Sequence, residues 1–426
     1  MIVRVFFGDA ERPTERFSGH LRTDRGKIEL TSAPAPAGAE MLAAILGTHH
    51  SPAPPAVIHG TTMRGACTLL GLTALSGENF LGATGEGFTS QKLCADACVM
   101  GLHLPNETSP ALTSATLTYA GIEGWVKAQR VIAFNEESTS LTYFKAVPII
   151  DLCLVSDKTH LLVESSYRVT VRTKGRDTAR SELDFTLEPH SHQTFEWLID
   201  AAVRFENFLC ACVGNSVRLK TARFTADRGA GWVVRPRSGK AGKPHPQNWI
   251  RCNSSQLAAA LTSWFGSSRH LAPFENLIYG TIRRTSLAVE TEFLSLAQAV
   301  ESFHRLTGSS SLIETHKFAN IRQSMADAID ACCTGPIATR LKEAINFANE
   351  PSFRNPIDEL MARLPPALVD KLLGDPREFG QTLRQTRNYP THPGTKTGSK
   401  VVVDAADLFL MNQKLHAREC PELRGK

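Results

Sequence analysis

Near the C-terminal end of the chain, the stretch RQTRNYPTH (residues 384–392) brings Arg387, Asn388 and His392 close together in sequence. A histidine titrates near neutrality and can take or give a proton. An arginine holds developing negative charge on a phosphorus-bound oxygen in a bidentate grip. RNA carries its own nucleophile, the 2′-OH. Arg plus His therefore suffices for metal-independent strand cleavage that leaves a cyclic phosphate and a 5′-OH. One histidine does one proton job at a time, so a twin subunit would supply the second.

On a straight helix, with about 100° per residue, Arg387 and His392 would point roughly 140° apart. Pro390 changes that expectation, because it lacks an N–H and disfavours the α region for Tyr389. The helix is expected to end or kink near Asn388, so that both side chains face one pocket. The same spacing also fits a plain polar helix end, with His392 capping carbonyls and Arg387 in a surface ion pair. Between Glu378 and Asp404 there is no acidic residue, while Arg384, Arg387, Lys396 and Lys400 are basic. This local cationic patch suits a phosphodiester backbone.

The elements that must position these residues are helical. Asp375-Pro376-Arg377-Glu378 pairs an N-cap aspartate with a Glu three residues on, opening the helix that carries Arg384 and Arg387. Upstream, VETEFLSLAQAVESFHR spaces Val289, Phe293, Leu296, Val300 and Phe303 as a helical seam. KFANIRQSMADAIDAC does the same with Phe318, Ile321, Met325, Ile329 and Cys332. Another helix starts at Gly335-Pro336, and the last runs from about Asp404 to His416, burying Leu408, Met411 and Leu415.

The first 190 residues read differently. Alternating runs such as ALTSATLTYAGI and THLLVESSYRVTVRT, set between turn clusters, predict a β-rich sandwich or jelly-roll-like domain. One short apolar helix, EMLAAIL, is expected between Pro-rich loops. The expected division is a β-rich sensor or regulatory domain over 1–190, a linking helix and hairpin over 191–284, and a helical bundle over 285–426. The linking helix, QTFEWLIDAAVRFENFLCACVG, should end at Gly214.

With 426 residues, 42% of them hydrophobic, the chain can fill two or three domain cores. Its formal charge of +5 permits a nucleic-acid partner without arguing for one. No apolar run is long enough to cross a bilayer, and the N-terminus lacks the h-region of a signal peptide, so a cytoplasmic protein with no membrane partner is expected. The ten cysteines are scattered, without C-x-x-C pairs, and read as reduced, mostly buried thiols. His190 and His192 have no third ligand at a useful spacing, so no metal is expected, nor any cofactor. Cys94 and Cys98 read as core thiols and His49-His50 as solvated. GATGEG lacks the lysine of a phosphate-binding loop. Glu301 could reach the cleft of Arg387 or simply sit at the surface.

Arg387-Asn388 followed by His392, late in a helical bundle, resembles the motif of the HEPN ribonucleases. LAQAVESFHRL resembles the first bundle helix of their ApeA-like branch. GHLRTDRGKIEL, VIHGTTMRGACTLLGL and GIEGWV resemble that branch's N-terminal domain. The resemblance implies an anti-phage defence protein whose bundle cuts RNA, dimerises so that two Arg–His pairs share a cleft, and answers to a phage-derived trigger at the N-terminal domain. It gives Arg387 the role of charge stabiliser, His392 that of acid/base, and Asn388 that of orienting His392 or phosphate. Arg384, Lys396 and Lys400 would contact RNA. Two departures stand out: Pro390 lies inside the motif, and Gly394 replaces the Tyr whose nucleotidylation silences some HEPN toxins. The alternative is a non-catalytic RNA-binding or scaffold protein with a ligand-sensing β-domain.

Overall fold

The computed structural model describes residues 2–9, 17–24, 27–32, 35–36, 57–81, 87–122, 125, 147–154, 159–170, 178–234, 253–266, 271–284, 287–307, 311–349, 359–363, 366–389 and 401–415. The chain divides into two compact units, Met1–Gly266 and Ser267–Lys426. As the sequence predicts, the first is β-rich and the second helical.

Among the described residues, thirteen strands build the first unit: β1 (Ile2–Asp9), β2 (Phe17–Asp24), β3 (Lys27–Ser32), β4 (Ala35–Pro36), β5 (Val57–Thr62), β6 (Gly65–Leu81), β7 (Gly87–Met100), β8 (Leu112–Ala120), β9 (Val147–Leu154), β10 (Thr159–Thr170), β11 (Thr178–Pro189), β12 (Arg218–Ala226) and β13 (Gly229–Val234). They are hydrogen-bonded into one continuous sheet, in the order β3-β2-β1-β5-β6-β7-β13-β12-β8-β11-β10-β9, with β4 also on β7. The first six strands of that order close on themselves, because β3 also pairs with β7 from Ile28↔Ala95 to Thr31↔Lys92. Period-2 alternation then sends one residue set into a shared core of Leu21, Ile28, Leu30, Ile58, Cys67, Leu69, Leu93, Ala95, Cys98 and Met100. Cys94 and Cys98 thus lie one turn apart on no helix. They share a strand, with Cys98 buried and Cys94 half-buried.

Further along, β7 changes partner, and Cys98–Met100 face Val234–Trp232 of β13. Gly101, with φ +102°, ends β7 where a Cβ would sit 2.6 Å from the Ala230 carbonyl oxygen, so the close approach of the hairpin requires glycine there. The β12–β13 hairpin, expected in a linking region, is therefore part of the sheet.

Helix α1 (Phe195–Val213) begins at Thr194, whose side chain accepts from Trp197 N, and ends at Gly214 in the left-handed region. It lies over β8 and β12, with Phe205 against Phe185 and the Tyr119 hydroxyl donating to Ala202 O at 2.8 Å. α2 (Ser254–Gly266) packs Phe265 against Phe205, with ring centroids 4.5 Å apart and the rings tilted by 47°. The 191–284 stretch is accordingly divided: α1, the hairpin and α2 fall within the first unit, and α3 (Ala272–Arg283) within the second.

The second unit continues with α4 (Val289–Thr307), α5 (Thr315–Cys332), α6 (Pro336–Asn346), α7 (Pro366–Leu373), α8 (Pro376–Asn388) and α9 (Ala405–Leu415). Phe293 and Ala297 of α4, Phe379 and Leu383 of α8, and Leu408 and Met411 of α9 form its core. Val289 and Val300 flank that core, and Phe303 packs on Phe274 of α3 at 4.9 Å. α5 corrects the sequence reading. It pairs with α6 but buries no residue, and Ile321 and Met325 are 47% and 45% exposed. Within its apolar stripe Phe318 and Ile329 are only half-buried. The predicted EMLAAIL helix, the His49-His50 pair, most of GATGEG and the basic loop at 235–245 lie outside the described residues.

Candidate active site

The site starts from helix α8. Asp375 caps it, its Oδ1 accepting from Arg377 N at 2.9 Å and Glu378 N at 3.2 Å, as the sequence predicts. Phe379, Leu383 and Thr386 turn toward the core. That fixes the helix's rotation and leaves Arg384, Arg387 and Asn388 half-buried along its rim. Arg384 and Asn388 lie one turn apart on the same side.

The helix ends at Asn388, in line with the break expected from Pro390. Tyr389, however, stays in the α region (φ −57°, ψ −48°), where the proline was expected to exclude it. Its N–H donates to Gln385 O at 3.1 Å, and this last helical bond outweighs the steric preference imposed by the following proline.

Arg387 is held on two sides. Its Nη2 donates to Glu301 Oε2 of α4 at 2.9 Å, and its Nη1 donates to Asn388 Oδ1 at 3.2 Å. Because a guanidinium only donates, the amide oxygen of Asn388 must face it, which leaves the amide nitrogen as Asn388's donor end. Asn388 thus orients Arg387. The other carboxylate oxygen of Glu301 takes Arg305 Nη2 at 3.2 Å, one helical turn along α4. The cationic patch, which lacks acidic residues of its own in sequence, receives a carboxylate from a different helix. Glu301 therefore reaches Arg387, the first of the two positions that the sequence left open.

Two contacts frame this cluster. Thr386 is buried, and its Oγ1 accepts from Val402 N at 3.1 Å, so the chain that leaves α8 at Tyr389 returns to the same helical turn thirteen residues later. On α4, the buried His304 meets Glu359 Oε2 through Nε2 at 2.7 Å. His392, Lys396, Lys400, Pro390 and Gly394 lie outside the described residues. Among the sequence-predicted site residues, the structure therefore places Arg384, Arg387 and Asn388 together on one rim. Arg305 was missed, although its i,i+4 spacing from Glu301 was a readable signal. His304–Glu359 had no local signal, being 55 residues apart.

In the first unit, His192 Nε2 lies 3.3 Å from Asp227 Oδ1. Among the described residues, no group of three His, Cys, Asp or Glu side chains is arranged to hold a metal, and no helix is long and apolar enough to cross a membrane.

Comparison with known proteins gives two matches. The family model for ApeA N-terminal domain 1 matches residues 3–254, more than half of the chain, and that for Apea-like HEPN matches residues 294–417. No curated protein matches. No solved structure matches either. The second match spans α4, which supplies Glu301 and Arg305, and α8, which supplies Arg387 and Asn388; with the first covering the β-rich unit, the chain belongs to the ApeA-like HEPN family.

Proposed function

We propose that this chain is a metal-independent endoribonuclease acting in anti-phage defence by abortive infection. The observation that carries the reading is Arg387 at the end of α8, five residues before His392, with its guanidinium held by Glu301 and Asn388. A guanidinium held at the helix end offers positive charge where negative charge develops on a phosphate oxygen.

In this mechanism a histidine takes the proton of an RNA 2′-OH, and the oxygen attacks the adjacent phosphorus. Arg387 neutralises the charge that builds on the non-bridging oxygens. The bond to the 5′-oxygen breaks, and that oxygen takes a proton from a protonated histidine. Products are a 2′,3′-cyclic phosphate and a 5′-OH, with no water consumed. His392 serves as acid or base, and a second copy of the chain, joined through the HEPN unit, supplies the complementary histidine. Arg384, Lys396 and Lys400 contact the RNA backbone. The β-rich unit acts as sensor for a phage-derived trigger.

The test is cleavage of end-labelled total RNA by the full chain and by His392→Ala, both in excess EDTA. Cleavage that leaves cyclic phosphate ends and disappears in the variant is expected, since removing a general acid–base typically costs about 10²–10⁴-fold. Undiminished cleavage by His392→Ala would sink the mechanism. Retention of RNA without cleavage would favour a binding protein.

A further inference from the structure

We infer that Arg305 is a second phosphate-binding guanidinium beside Arg387, and that Glu301 fills the anion position between them in the RNA-free chain. This rests on the reading above that the substrate is RNA, and it adds a residue that neither the motif nor the basic patch contains.

The argument begins with the two oxygens of Glu301. Oε1 accepts from Arg305 and Oε2 from Arg387, so a single carboxylate bridges two helices through two guanidiniums. A carboxylate and a phosphodiester present the same face to such a pair. Each spreads one negative charge over two oxygens, and each oxygen accepts a charge-assisted hydrogen bond.

Exposure gives the arrangement a direction. The Glu301 side chain is 19% exposed, Arg387 36% and Arg305 59%. Glu301 is therefore the most buried side chain of the three, so an anion from solvent meets the more exposed arginine side chains first. Arg384 lies one turn before Arg387 on the same rim of α8.

The simpler account is that Glu301–Arg305 is an ordinary i,i+4 surface pair supporting α4. Such pairs contribute little when exposed, and that account gives no reason for the same carboxylate to hold Arg387 on another helix. The two accounts differ in what they predict for RNA. As a support pair, Arg305 has no effect on binding. As half of a phosphate grip, it sets affinity and its dependence on salt, and Glu301 competes with the incoming phosphate.

The experiment measures binding of the full chain to a fluorescein-labelled 2′-fluoro RNA oligonucleotide, which lacks the attacking hydroxyl, in EDTA across a series of NaCl concentrations. Arg305→Gln is expected to weaken binding about three- to tenfold at low salt and to make the slope of log K against log salt shallower by about 0.7, one single-strand phosphate contact. Arg305→Lys should restore most of the slope. Glu301→Gln should tighten binding severalfold, because the competing charge is gone while the side chain's shape is kept. Wild-type affinity and slope in Arg305→Gln would overturn the inference and leave the ribonuclease reading intact. Weaker binding by Glu301→Gln, with an unchanged melting temperature, would overturn Glu301 as occupant of an anion position. A wild-type chain that binds no RNA at low salt would remove both this inference and the reading beneath it.

Discussion

Thr386→Val tests whether the return of the chain to α8 matters for chemistry. Thr386 is 4% exposed, and its hydroxyl is the acceptor for Val402 N. Valine keeps the shape and β-branching, so packing changes little. What is lost is the acceptor, which strands a half-buried N–H at a cost of about 1–2 kcal/mol. Against a typical domain stability of about 5–15 kcal/mol, the bundle still folds. The cost falls on the junction between Thr386 and Val402, which bracket His392, Lys396 and Lys400 in the sequence. If cleavage requires that junction closed, about 1–2 kcal/mol lowers the competent population by roughly 5- to 30-fold. Single-turnover cleavage should fall by that factor, while RNA affinity holds through Arg384 and Arg387. Hydrogen exchange at the Val402 amide reports the junction directly. Faster exchange at Val402 together with cleavage within twofold of wild type would refute the reasoning.

Two further outcomes follow from burial. Leu383→Ala removes a side chain 1% exposed from the core shared by Phe293, Leu408 and Met411, and should destabilise the helical unit by about 2–5 kcal/mol in urea denaturation; a loss under about 1 kcal/mol would contradict this packing. Burial pushes the Cys67 thiol up to about 12 and raises that of Cys98 as well, whereas Cys332 is exposed. At pH 8 a thiol reagent should label Cys332 within minutes but reach Cys67 and Cys98 only in denaturant, and mass mapping that finds Cys67 labelled as fast as Cys332 would count against the closed core.

The features legible in the sequence were those set by neighbours along the chain. Asp375 with Glu378, Gly214 and Gly335-Pro336 each mark a helix end through contacts within a turn, and each lies where its local chemistry puts it. The grouping of Arg384, Arg387 and Asn388 followed from one helix and its rotation. Long-range pairing was not legible. Nothing in VRLKTARF indicates that this strand sits between β8 and β13 within one sheet. The α5 stripe shows the limit of periodicity, since spacing predicts an apolar face but not what covers it. Tyr389 shows a local rule outweighed by one more hydrogen bond. Glu301 and Arg387 are 86 residues apart, so only the packing of α4 on α8 could reveal their contact.

The place of the β12–β13 hairpin also dictates an order of assembly. The ring ending in β7 is complete by residue 100, and β8 to β11 by residue 189, yet β13 on β7 and β12 on β8 are the pairings that join them. During synthesis, Cys98–Met100 at the end of β7 and one side of β8 wait for these partners until residues 218–234 emerge, after the whole of α1. Unpaired edges of this kind recruit other chains. The hairpin therefore works as a late-arriving seal, and nascent chains interrupted before Arg218 expose two sticky margins instead of one continuous sheet.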